Sequence, residues 1–493
     1  AKLADYHIRL RPGTNVAVLN MMLYYIVKGN LLNKDFVENR TEGFDEFLNH
    51  INGLDIDHLA SVAGVDKQLV KEAAIAYATA KNSMEFHGLG VTEHEQGSKT
   101  VMLIADLAMI TGNIGRRGVG VNPLRGQNNV QGAADMGCQP HQGAGYFPVA
   151  DKKIQDFYTE KYGAVHPTKA GLKIPEIFDA AINKEVKGLW IIGEDIVQTD
   201  PNSAHVIKAM ESLDLLVVQE IFMSETAKLA DVVLPGTTFL EKDGTFTNTE
   251  RRVQRVNKAA EPLPGTKPDG VIVTEMMQKL GYDQPTYDAD QVLAEVADVV
   301  PFFKGITRER LGKLGLQWPV KEDGTDTKIL HEKEFKLGKG RLKSFDWKES
   351  TEITNNIKEY PLILTTSRVL QHYNAATMTR RTKNLKIVDE DILLVNPIDA
   401  KERELSNGDI ARLYSGRGEV SLKVEVTDKV KEGIVFTTFH FPEHMVNMVT
   451  GDGKDEETKC AEYKVSAVQV QKISNKFKTE ISPSEKQAEI VRN

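Results

Sequence analysis

Apolar positions recur along this chain in two rhythms, and the change from one to the other divides it. From Val16 to Val27 they form a stretch interrupted by Asn20 and closed by Lys28, which predicts an amphipathic or buried helix over 15 to about 29. Helical spacing returns over 67–80 and again over 100–110, where Gly112 stops it. Short apolar runs alternate with these helices: 6–10 reads as a strand, and 83–90 as a run that ends in glycines. A second stretch sets strands at 188–192, 215–219 and 232–235 between helices around 203–212 and 224–230. Strands separated by single helices predict a parallel, doubly wound sheet whose ligands sit at the carboxyl ends of the strands. Residues 151–173 read as an irregular insertion, and 303–358 as a charged, helix-poor connection.

Beyond Tyr360 the character changes to β. Runs at 362–366, 392–395, 410–414, 419–426 and 434–438 are joined by Asn-Gly, Gly-Arg-Gly or Lys-Glu-Gly turns, a pattern that predicts a barrel. The expected fold is therefore α/β, with doubly wound mixed or parallel sheets and a C-terminal β-barrel. Its expected divisions are a partial α/β unit over 1–127, a second α/β unit over 128–302 carrying a hairpin at 240–268, the connection 303–358, the barrel 359–475 and a polar, loose tail 476–493.

Composition narrows the functional classes. At 493 residues the chain exceeds a single core, and its 41% hydrophobic and 27% charged fractions are those of a globular protein. With 62 basic against 70 acidic residues the net charge is −8, so no broad basic surface for nucleic acid is implied. No run approaches the roughly 18 apolar residues of a membrane-spanning helix. The start at Ala1 rather than at a methionine reads as that of a fragment, with a signal peptide upstream left open. Two cysteines, Cys138 and Cys460, belong to no C-x-x-C pair and read as free thiols of a reducing, cytoplasmic setting.

One polar run stands out, at 122–137. It sets Arg125 among glycines and the amides Gln127, Asn128, Asn129 and Gln131. Glycines allow a close backbone approach, amides offer uncharged donors and acceptors, and a lone Arg offers a planar fork that fits a carboxylate. Such a loop reads as a pocket for a small anion. The alternatives are a turn-rich surface loop, or an Arg125 paired with an interior carboxylate such as Asp135.

The run resembles the V-N-P-x-R-G-Q-N-N-V-Q-G-x-x-D-M-G signature of molybdenum- or tungsten-dependent formate dehydrogenases, of the molybdopterin oxidoreductase superfamily. The resemblance extends from Ala4 to Lys464. It implies a catalytic subunit built around a bis-molybdopterin guanine dinucleotide centre with Mo or W, interconverting formate and carbon dioxide and passing electrons to iron–sulfur subunits that are NAD-, ferredoxin- or hydrogenase-linked. The family's [4Fe-4S] cysteines and metal-ligating cysteine or selenocysteine have no counterpart here, so the resemblance assigns them to a missing N-terminal part and no metal ligand to this chain. Two rivals remain at this point: another oxidoreductase of the superfamily, such as a nitrate reductase, and a non-catalytic cofactor-binding or scaffold subunit.

Residue by residue, the resemblance makes Arg125 the substrate clamp, with Gln127 beside it on the cofactor. Gly193, Glu194, Asp195 and Thr199 match a G-E-D-x-x-x-T element, in which an acid accepts hydrogen bonds from a guanine edge. Gln219 and Glu220 after the next strand, and Asp269, follow the same logic, while a helix N-cap is the alternative for these acids. Gly13, Thr14 and Asn15 match a turn that opens a helix beside the second dinucleotide. Gly90 lies in a G-x-G-V-T loop that ends here in Glu93. Residues 241–252 match a superfamily hairpin. Arg368 and His372 match a segment lining the pterins, His372 being otherwise a packed core histidine, and Asn447, Tyr463 and Lys464 match the closing cofactor-binding segment. Because two cysteines fall short of the about four thiolates a cluster needs, iron analysis of residues 1–493 expressed alone is expected to find no cluster.

Overall fold

The computed structural model describes residues 3–473, so the tail expected at 476–493 lies outside the described residues. The first unit is built on one helix that is apolar on most sides. Helix α1 (Asn15–Lys28) turns Val16, Leu23 and Ile26 toward a cluster with Phe36 of α2 (Lys34–Arg40) and Phe47 and Ile51 of α3 (Phe44–Asn52). Its Ala17, Val18 and Met21 face Leu59 and Ala63 of α4 (Ile56–Ala63) and Val70 of α5 (Lys67–Thr79). Asn20, which broke the apolar stretch, is fully buried and donates from Nδ2 to Phe345 O at 2.8 Å. Helices α4 and α5 begin at Asp55 and Asp66, whose carboxylates accept the backbone N–H groups of His58 and Gln68.

Helix α6 (Gly97–Ile110) closes this core with Leu103, Leu107 and Ile110, and strands β1 (Met84–His87) and β2 (Gly120–Pro123) pair in parallel beside it. The strand expected at 6–10 does not form. Its Ile8 and Leu10 pack on the α1–α4–α5 cluster, and a helical surface offers no ladder of amides to pair with.

The second unit carries the expected parallel sheet, with β3 (Gly188–Ile192), β4 (Leu215–Glu220) and β5 (Val232–Pro235) in the order β3-β4-β5. Helix α9 (Ser203–Glu211) packs on it through Val206, Ala209 and Met210, after α7 (Lys152–Tyr162) and α8 (Ile174–Ile182). Two expectations are corrected. The insertion 151–173 contains α7, begun by Asp151, which accepts Lys153 N at 2.8 Å, and ended by Gly163 at φ 65°. The helix expected at 224–230 is a single 3₁₀ turn, Ala227–Leu229, because Asp195 takes the N–H and hydroxyl of Thr226 and the chain then enters β5. Strands β6 (Gly244–Thr247) and β7 (Arg252–Val256) form the expected hairpin, and Leu316–Gln317 adds a third strand to β7.

The barrel is closed, as the period-two pattern predicts. Its strands are β8 (Leu362–Ser367), β9 (Ile392–Val395), β10 (Ile410–Tyr414), β11 (Glu419–Val426), β12 (Ile434–Thr438) and β13 (Ser466–Lys472), in the cyclic order β8-β12-β9-β11-β10-β13. Along β11, Val420, Leu422 and Val424 point inward while Glu419, Ser421 and Lys423 face solvent. The interior is filled by Leu364, Leu393, Leu413, Val435 and Val468, all fully buried. Leu413→Ala would leave a hole there, and a loss of about 3 kcal/mol is expected, read as a lower urea midpoint of the barrel.

Candidate functional site

Strands β1 and β2 end side by side, and the loop that leaves β2 carries Arg125. That loop is held from several directions. Arg125 N donates to Thr249 Oγ1 at 2.8 Å, Asn129 Oδ1 accepts Thr247 N at 2.9 Å, and the Tyr373 hydroxyl donates to Gly126 O at 3.0 Å. The guanidinium is anchored by Nε, which donates to Gln131 Oε1 at 3.1 Å. Its two terminal nitrogens meet no acceptor among the described residues, and the residue is exposed. Arg125 is therefore not ion-paired with Asp135; Gln131 stands between them, donating to Asp135 Oδ1 at 2.9 Å. Burial pushes the Asp135 carboxyl up, against the hydrogen bonds of Tyr146, Gln131 and Trp318. At the end of β1, burial and then the charge of Arg125 push His87 down, so a neutral imidazole lies by the guanidinium. Gln127 is exposed and makes no side-chain hydrogen bond among the described residues.

The carboxyl ends of β3 and β4 gather a second group. Gly193 sits at φ 65°, its N–H on Gln219 O at 2.9 Å, and a Cβ there would meet nothing within 4 Å. Desolvation, then Asp195, raises the Glu194 carboxyl, and desolvation raises Glu220, whose Oε1 accepts Ile221 N at 2.7 Å. Asp195 is buried, and its Oδ1 accepts both the N–H and the hydroxyl of Thr226 at 2.8 Å. Asp269 opens helix α10 (Asp269–Lys279), ion-paired with Lys242 and accepting Gln219 Nε2 at 2.7 Å. The carboxylates of Asp195 and Asp269 are thus engaged by protein groups.

The third group lies where the first helix meets the barrel. Gly13 takes φ 86°, Thr14 is buried with its hydroxyl on Arg11 O at 2.6 Å, and Asn15 Nδ2 donates to Gly90 O at 3.3 Å. Lys464 is buried between Thr366 O at 2.8 Å and Glu93 at 2.7 Å, so the Glu that ends the Gly90 loop has a cation of its own. Burial, with Asp200, Glu93 and Glu194 nearby, raises Tyr463 well above its ordinary value. Asn447 Nδ2 donates to Thr199 O at 3.0 Å, tying the barrel to the turn after β3. Arg368 donates to Asn374 Oδ1 at 2.8 Å and lies over the Phe439 ring. His372 is a packed histidine, with Nδ1 on Thr379 Oγ1 and Nε2 on Val388 O.

Sequence reasoning missed Asp200 and Gln198, which the fold buries beside the Glu194-Asp195 pair; their nearness to that pair along the chain was the available signal. At these strand ends Gln219 Oε1 and His87 Nδ1 are buried without a partner among the described residues, a cost that a ligand group would remove. Acids at strand ends suit an amide-type edge, open glycines suit close approach, and Arg125 and Arg368 suit anions. This donor set fits a pterin dinucleotide. Among the described residues no group of three or more His, Cys, Asp or Glu could hold a metal ion, and no helix is long and apolar enough to cross a membrane.

With its parallel α/β sheet and closed barrel, the chain belongs to the molybdopterin oxidoreductase family. The molybdopterin oxidoreductase family matches residues 1–279, and the molydopterin dinucleotide binding domain matches 362–467. The F420-dependent formate dehydrogenase subunit alpha of Methanocaldococcus jannaschii is 44% identical over 481 residues, 96% of this chain and 70% of that protein. Formate dehydrogenase H of Escherichia coli is 35% identical, covering 96% of this chain and 67% of its own length. Acetylene hydratase from Pelobacter acetylenicus shares the fold, with a TM-score of 0.73 at 20% identity, over 96% of this chain and 72% of that one.

Burial, then the charge of Glu194, pushes Asp200 up to about 7. A raised carboxyl favours the folded state only while protonated, so ionising Asp200 costs stability progressively from about pH 4 to about pH 7. Asp200→Asn escapes that cost. Its Tm is expected to gain on the parent's across this window and to keep a constant lead above it, measured by thermal denaturation at pH 5 and pH 8.

Proposed function

We propose that this chain is the catalytic alpha subunit of a formate dehydrogenase, interconverting formate and carbon dioxide. The observation that carries the reading is Arg125: its Nε is fixed, and its terminal nitrogens are presented outward. Two parallel charge-assisted hydrogen bonds from that edge match the two oxygens of formate and fix the direction of its C–H bond. The identities to formate dehydrogenase subunits support the choice of substrate.

The cofactor is a bis-molybdopterin guanine dinucleotide with Mo or W. When bound it supplies the acceptor for the two electrons released as formate becomes carbon dioxide and a proton. Glu194 and Glu220 present carboxylates to a guanine edge, with Gly193 admitting it. Arg368 takes a pyrophosphate, and the Gly13-Thr14-Asn15 turn and Gly90 border the second dinucleotide with Tyr463 and Lys464. Asp195 and Asp269 act by holding the Thr226 turn and Gln219 in place. Electrons pass on to iron–sulfur partners; the two cysteines of these residues fall short of the about four thiolates of a [4Fe-4S] centre. The two free thiols favour a cytoplasmic setting.

Arg125→Lys in the complete enzyme replaces a fork with a point charge. Losing about 2 kcal/mol of charge-assisted bonding corresponds to an about thirty-fold fall in kcat/KM for formate. An unchanged kcat/KM would remove the substrate role.

A further inference from the structure

Asp135 is completely buried and, among the described residues, is in no ion pair. Its Oδ1 accepts Gln131 Nε2 at 2.9 Å and the Tyr146 hydroxyl at 2.6 Å, and its Oδ2 accepts Trp318 Nε1 at 2.9 Å. Gln131 Nε2 also lies 2.9 Å from the Tyr146 oxygen. Both hydrogens of the Gln131 amide are thereby used, one on the carboxylate and one on the phenol. Its carbonyl oxygen has to face the other way, toward Arg125 Nε–H. A reversed amide would set oxygen against carboxylate and N–H against guanidinium, two repulsive contacts in place of two bonds.

We propose that Asp135 is a positioning residue for Arg125: by dictating the amide orientation of Gln131, it fixes the guanidinium so that its terminal edge meets a carboxylate substrate. The inference rests on the reading of Arg125 as the clamp on formate.

The surroundings are built to hold this arrangement. Tyr146 takes φ 61°, a left-handed conformation that an aromatic residue adopts only when its neighbours enforce it, and its ring stacks on Phe302 with centroids 5.9 Å apart. Trp318 is placed by Arg251, whose carbonyl accepts Trp318 N at 3.0 Å and whose guanidinium lies over the indole. Arg251 belongs to the connection between β6 and β7, as does Thr249, which accepts Arg125 N. One hairpin therefore fixes Arg125 twice: its backbone directly, and its side chain through Trp318, Asp135 and Gln131.

The test uses the complete, cofactor-loaded enzyme. Asp135→Val removes the acceptor, so the Tyr146 hydroxyl turns to donate to Gln131 Oε1; the amide reverses and its NH₂ confronts Arg125 Nε–H. The KM for formate is expected to rise about ten-fold, with kcat changing less than about three-fold. Adding Gln131→Glu supplies a carboxylate that accepts from both Tyr146 and Arg125. That double variant is expected to return to within about three-fold of the parent KM, a rescue that mere damage to the core would not allow. An unchanged KM in Asp135→Val overturns the proposal, and so does a raised KM that the second substitution fails to restore. Should Asp135→Val not accumulate as folded enzyme, Gln131→Met alone must raise KM by a similar factor; a normal KM there overturns the proposal too. Arg125→Lys separates the two readings. If it lowers kcat/KM while Asp135→Val leaves KM unchanged, only the positioning role falls; if it changes nothing, both fall.

Discussion

The structure turns on one buried amide. Gln198, in the short turn after β3, donates from Nε2 toward the carbonyls of Ala375, Phe439 and His440 in the barrel loops, at 3.1, 3.2 and 3.1 Å. Asn447 answers from the barrel, donating to Gln198 O at 2.8 Å. Arg380 reinforces the join through Gln198 Oε1 and the same His440 carbonyl. Arg380 also reaches the Ala375 carbonyl, while the Phe439 carbonyl has Gln198 as its side-chain donor; leaving that carbonyl unpaired would cost about 1–3 kcal/mol. Because the contacts come from both sides, the ends of the parallel strands are set against the barrel loops in one registration. The cofactor-facing groups proposed at the ends of β3 and β4 depend on it.

That registration crowds acids together. Glu194, Asp200 and Glu220 are all pushed up by burial, and each by a neighbouring acid as well. Such crowding does nothing for the fold by itself; uncharged residues would pack there more favourably. Carboxyl groups crowded in this way are costly unless donors reach them, which is what the proposed guanine edge would supply. Lys464 and Glu93 show the opposite arrangement, an enclosed pair in which each charge is compensated by the other.

The β6–β7 hairpin acquires a role beyond topology. Its residues touch the Arg125 loop at Thr249 and Thr247, and the Asp135 cluster through Arg251 and Trp318. A loop left to itself would sample many arginine orientations. A hairpin braced by a third strand at Leu316–Gln317 is stiff enough to select one.

Sequence by itself determined the elements whose signal is local. The barrel strands were legible because inward and outward positions alternate in β11 and its neighbours, and α1 because its apolar run is long; the parallel β3-β4-β5 order followed from strands separated by helices. Arg125 stood out as a lone cation among glycines and amides, and its reading as the clamp on a carboxylate came from the resemblance of that run to the formate dehydrogenase signature. Tertiary structure alone decided the rest. Whether 6–10 becomes a strand depends on an available edge, and it met helices; whether 224–230 becomes a helix depended on Asp195, far away in sequence. The acids at 195 and 269 look equivalent to Glu194 and Glu220 in the sequence, yet Thr226 and Lys242 occupy the former pair and not the latter. The orientation of Arg125 is set by residues at 131, 135, 146 and 318. Hydrogen-bond direction across such separations is a property of assembled donors and acceptors, and no periodicity along the chain encodes it.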